Sequence, residues 1–78
     1  MIHIKYFGAI AEKTKSNEDE FPFSEMNLQQ LIDELQQKYQ LKKLSFSVAV
    51  NQKIVQDLDN YELKSNDIIA LLPPFAGG

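Results

Sequence analysis

The sequence predicts an α+β domain in which a mixed sheet wraps one main helix, and three observations carry that prediction. Residues 2–7 alternate apolar Ile2, Ile4 and Tyr6 with polar His3 and Lys5, the period of a half-buried strand. Near the other end, residues 68–72 form a short apolar run of strand length. Between them Leu28, Leu31, Ile32, Leu35 and Tyr39 recur at helical spacing, and 78 residues leave room for only one core against which such a helix can pack.

Each element follows from local signals. After Gly8, residues 9–13 suit a short helical turn, and residues 18–23 read as a second strand with Phe21 and Phe23 on one face. Pro22 cannot donate to a ladder hydrogen bond, so that strand belongs at a sheet edge. Asn27, with Gln30 three residues on, forms a capping-box signature that starts the main helix, residues 28–39. Residues 46–50 place Phe46, Val48 and Val50 on one side of a third strand, and Asn51-Gln52 turns the chain into Lys53-Ile54-Val55 as a hairpin. Residues 58–64 read as loop and short strand, Ser65-Asn66-Asp67 as a turn, and residues 68–72 as the last strand. Strand, strand, helix, strand, short strand, strand is the β-grasp order, with the first and last strands parallel at the centre of the sheet.

Composition narrows the function. The longest apolar run is far shorter than the ~20 residues a bilayer requires, so a cytoplasmic protein without membrane contact is expected. With no cysteine, the chain has no thiolate metal site, side-chain persulfide or cysteine nucleophile. Its eleven acids face eight bases, all lysine, and without arginine it lacks the fork that suits phosphate or guanine, which argues against nucleic acid. The acidic run Glu18, Asp19, Glu20 reads as a solvated strand edge before it reads as a docking site. His3 stands alone as a strand-surface histidine, no carboxylate pair has a partner base, and no metal site is expected.

The tail is the informative segment. Pro73 and Pro74 stop the last strand and hold the chain extended, dividing a domain at 1–72 from a tail at 73–78. Counted from Pro73, that tail reaches at most ~20 Å at ~3.3 Å per residue. Gly77 and Gly78 lack a Cβ, so the carboxylate of Gly78 can pass a narrow channel and be approached from either side. A carboxylate is a poor electrophile. Acyl chemistry here therefore needs a partner that activates it, most simply as an adenylate made from ATP, from which sulfide could displace AMP to leave a thiocarboxylate. Phe75 is an apolar residue that an idle tail has little reason to expose.

At this point a resemblance becomes visible. The segment Ala49-Val50-Asn51-Gln52, the turn at Asn66-Asp67, the opening residues 2–7 and the ending Leu71-Leu72-Pro73-Pro74-Phe75-Ala76-Gly77-Gly78 resemble the small subunits of molybdopterin synthase, the MoaD family. Residues 10–45 match in pattern only. The resemblance implies a ubiquitin-like sulfur carrier that binds no cofactor of its own and is no enzyme by itself. In the implied cycle a ubiquitin-activating-enzyme-like adenylyltransferase uses ATP to activate Gly78, and a sulfurtransferase or cysteine desulfurase relay converts it to the thiocarboxylate. In the large catalytic subunit the thiocarboxylate then gives sulfur to cyclic pyranopterin monophosphate, two donations building the dithiolene of molybdopterin. The family also implies a heterotetramer, two small subunits flanking a dimer of large ones.

If Ile2, Ile4, Tyr6, Ile69 and Leu71 face the helix, strand alternation puts Phe7, Ile68, Ala70 and Leu72 on the opposite face. Phe7, Leu72, Pro73, Pro74, Phe75, Ala76 and Gly77 are therefore the expected partner-binding residues beside the reacting Gly78. The competing expectation is that a loop of this chain covers Phe7 and Leu72. Other readings of the same tail are a sulfur carrier of the thiamin pathway, a protein modifier joined to target lysines, and a β-grasp interaction module with an inert tail.

Overall fold

In the computed structural model, residues 1–24, 26–41 and 44–73 are described. Among them the elements run β1 (Ile2–Tyr6), α1 (Ala9–Thr14), β2 (Glu18–Phe21), α2 (Leu28–Tyr39), β3 (Ser47–Val50), β4 (Lys53–Ile54) and β5 (Ile68–Leu72). The sheet order is β2-β1-β5-β3-β4, with β1 and β5 parallel and the other pairs antiparallel. This is the β-grasp arrangement: the two ends of the domain meet side by side in mid-sheet.

The core forms because two periodicities face each other. Period-two alternation buries Ile2, Ile4 and Tyr6 of β1 and Ile69 and Leu71 of β5, while the helical period buries Leu28, Leu31, Ile32 and Leu35 of α2. Ile10, Leu41, Val48, Val50 and Leu63 close the cluster. Helix α2 starts at the predicted capping box: the Gln30 amide donates to Asn27 Oδ1 at 2.9 Å and the Asn27 amide to Gln30 Oε1 at 2.9 Å. It stops where Gln40 turns left-handed and returns its amide to the Gln36 carbonyl.

Several boundaries differ from the sequence reading. Strand β2 ends at Phe21, so Pro22 lies past the ladder rather than within an edge strand, although β2 is indeed the sheet edge. Phe21 packs against the core, but Phe23, expected beside it, lies beyond the strand and is exposed. Strand β3 begins at Ser47 and leaves Phe46 half-buried at its foot. Residues 58–64 form no strand of their own. They bind the start of α2 instead, through the Leu28 amide to the Tyr61 carbonyl at 2.8 Å and an isolated bridge between Asn27 and Glu62. That loop thereby supplies the partners for backbone groups that a helix N-terminus leaves free.

Candidate functional site

Strand register assembles the far face of the sheet. Lys5 lies beside Ala70, Ala70 beside Ala49, and Ala49 beside Ile54, so one outward row crosses four strands. His3 and Ile68 form the next row toward the start of β1, and Ser47 sits beside Leu72 on the other side. Phe7, just past β1, continues the outward alternation.

Together Phe7, Ile68, Ala70, Leu72, Ala49 and Ile54 line an open groove of about 590 Å³, with Lys5, Asn51 and Gln52 as its polar margin. Phe7 is 43% exposed, Ile68 41% and Ile54 47%, so no loop among the described residues covers this face. The competing expectation of a loop over Phe7 is thus not met. The alternation reading identified Phe7, Ile68, Ala70 and Leu72, but Ala49 and Ile54 escaped it. Their membership depends on which strands pair with β5, a long-range fact that periodicity does not carry. Large contiguous apolar patches are uncommon on small monomers and mark places where another surface docks.

Three local devices hold this face in shape. At one end the Asn51 side chain donates to Asp67 Oδ1 at 3.0 Å and accepts from the Ile68 amide at 3.0 Å, clamping the β3–β4 turn to the start of β5. Asp67 is buried there and also accepts from the Lys64 amide at 2.8 Å. At the other end the Phe7 amide donates to the Leu71 carbonyl at 3.2 Å, which extends the β1–β5 seam to the base of the tail. On the edge strand, alternation splits the acidic run. Glu18 and Glu20 point outward, the latter 3.9 Å from His3 Nδ1, while Asp19 turns inward.

Asp19 is structural. Its Oδ2 accepts from the Tyr39 hydroxyl at 2.6 Å and the Tyr6 hydroxyl at 3.3 Å, with Lys38 Nζ at 3.5 Å. Partial burial opposes its charge, but the Tyr39 hydroxyl, the Glu20 amide and Lys38 outweigh that and hold its carboxyl below the ordinary value. Burial, and then the Asp19 charge, push the Tyr6 hydroxyl well above its usual range, so it remains a donor. Hydrogen bonding with Tyr39 and the charge of Asp19 raise Lys38.

At the base of the tail Pro73 directly follows β5 and is exposed. Pro74, Phe75, Ala76, Gly77 and Gly78, the remaining partner-binding and reacting residues expected from the sequence, lie outside the described residues. Among the described residues no group of His, Cys, Asp and Glu could hold a metal ion, and no helix is long and apolar enough to cross a membrane. What the described part offers is an open apolar face that reaches Leu72, next to Pro73.

Known proteins share this arrangement. A family model described as the ThiS family matches residues 4–78. Subunit 1 in a complex of subunits 1 and 2 of the molybdopterin-converting factor from Helicobacter pylori is 32% identical, with a TM-score of 0.74 and coverage of 99% of this chain and 97% of that one. A Pyrococcus furiosus structure named as molybdopterin converting factor subunit 1 has a TM-score of 0.84 at 23% identity, covering 95% of this chain and 97% of the other. SAMP1 of Haloferax volcanii has a TM-score of 0.80 at 20% identity, covering 99% of this chain and 98% of that one. The last two likenesses, below 25% identity, establish the fold alone.

Proposed function

This chain belongs to the ThiS family, as a ubiquitin-like sulfur carrier of the ThiS/MoaD type, and from that premise we propose that it is the sulfur-donating small subunit of a molybdopterin synthase. The observation that carries the choice is the Helicobacter pylori relative, 32% identical over nearly the whole chain and found with subunit 2 of a molybdopterin-converting factor. The open face of Phe7, Ile68, Leu72 and Ile54 supports it, because a carrier must dock against each partner that handles its tail.

In this reading Gly78 supplies the reacting group. An adenylyltransferase joins its carboxylate to the α-phosphate of ATP and releases pyrophosphate. A persulfide on the sulfurtransferase or cysteine desulfurase relay displaces AMP to form an acyl disulfide, and a second thiol of the relay cleaves it, leaving the thiocarboxylate on Gly78 and a disulfide on the relay. In the large subunit that sulfur moves to cyclic pyranopterin monophosphate, and water restores the carboxylate. The small subunit provides docking, reach and a nucleophilic sulfur, and its partner provides the acids and bases. Two such carriers flank a dimer of large subunits in the proposed heterotetramer, which works in the cytoplasm.

Intact-protein mass spectrometry tests this directly. After incubation with ATP, a sulfur source and the adenylyltransferase, the chain gains the mass of one oxygen replaced by sulfur at Gly78, and the product supports dithiolene formation only with the large subunit. A stable complex with a thiazole synthase instead would move the assignment to the thiamin pathway. High-mass lysate conjugates that depend on Gly78 would move it to protein modification, for which the likeness to SAMP1 at 20% identity offers only the fold.

A further inference from the structure

The loop between β1 and α1 meets the base of the tail. Gly8 sits at φ 60° and ψ −134°, angles at which a side chain is strained. A Cβ placed there would lie 2.8 Å from Pro73 Cγ, well inside van der Waals contact, whereas Pro73 Cβ and Cδ stand 3.8 Å away. Both sides of this contact are fixed. The Phe7 amide is bonded to the Leu71 carbonyl, the Phe7 carbonyl accepts from the Ile10 amide, and the Gly8 carbonyl accepts from the Glu12 amide. The platform under Pro73 therefore cannot move aside without breaking the seam or the first turn of α1.

We infer that Gly8 is a positioning residue for the tail: it leaves room for the Pro73 ring and so sets where the main chain of residue 73 lies at the end of β5. This rests on the carrier reading above. Most side chains would relieve a close contact by rotating. In proline Cγ is tied through Cδ to the backbone nitrogen, so pressure on the ring moves the main chain of residue 73. The reacting Gly78 lies five residues further along the chain, and a ~1 Å error at a reacting group costs on the order of 100-fold in rate.

The test compares three full-length chains: wild type, Gly8→Ala, and Lys13→Gly. Lys13→Gly weakens α1 at an exposed position without placing an atom near Pro73. Both variants are therefore expected to lose thermal stability, while only Gly8→Ala is slow in transfer. Its kcat for adenylation of Gly78 should fall about 10-fold or more with KM for the carrier nearly unchanged, and Lys13→Gly should keep the wild-type kcat. Equal kcat for wild type and Gly8→Ala, or a Lys13→Gly variant as slow as Gly8→Ala, overturns the inference. Should Gly8→Ala not fold, a nuclear Overhauser contact between Gly8 Hα and Pro73 Hγ in the wild type decides: its presence supports the inference and its absence refutes it. A wild type inert toward activation defeats the carrier reading itself, an outcome distinct from an active wild type whose variants match it.

Discussion

Asp19 belongs to a run of three acids that composition alone assigns to solvent, yet it is the acceptor for two tyrosine hydroxyls. Strand alternation allows this, because the middle residue of any three in a strand faces opposite its neighbours. The partners were not legible: Tyr39 lies on α2 and Tyr6 on β1, and their rings meet edge to face at 5.8 Å only once both elements are docked. Replacing Asp19 by Ala leaves two hydroxyls without their acceptor and is expected to destabilise the fold by roughly 1–3 kcal/mol in denaturant titrations. Because its carboxyl is held below the ordinary value, the contribution of Asp19 is complete above the unfolded pKa of ~3.9 and disappears as pH falls through the folded one. Wild type should lose stability below about pH 4, and Asp19→Ala should show a shallower acid limb in the same range.

Helix α2 was legible to both ends because its signals are local: a capping box, a 3.6-residue apolar period and no interior Gly or Pro. Strand ends were less so. Strand β2 stops before Pro22 and β3 starts after Phe46, since a strand ends where its neighbour ends, and the neighbour is distant in sequence. The β3–β4 hairpin is an intermediate case. Asn51-Gln52 forms the turn that its residue types predict, and both residues adopt positive φ, 50° and 72°, the pair of angles a type I′ turn requires. Asn tolerates that region, and Asn51 is further held by Asp67 and Ile68, but Gln52 has no such compensation among its hydrogen bonds. Gln52→Gly is therefore expected to raise stability by roughly 0.5–1 kcal/mol, read as a higher thermal midpoint.

At the scale of the molecule, the parallel pairing of β1 with β5 brings Phe7, Ile68 and Leu72 onto one open face at the root of the tail. Phe7 is outside the core cluster and 43% exposed, so Phe7→Ser should leave unfolding stability within about 0.5 kcal/mol. Binding to the proposed partner, the large subunit, measured by calorimetry, should weaken by about 2 kcal/mol, roughly thirty-fold, as expected for an aromatic anchor at an interface centre. An unchanged affinity would place the docking surface elsewhere. The order of elements, the face each strand and helix buries, the capping of α2 and the family resemblance are legible before folding, because periodicity, caps and turn residues act between near neighbours in the chain. That Ala49 and Ile54 complete the apolar face, that Asp19 bridges two tyrosines, and that Gly8 lies under Pro73 emerge on folding alone. Those contacts join residues far apart in the chain, and no local energy term reports a distance that exists only after the sheet has closed around its helix.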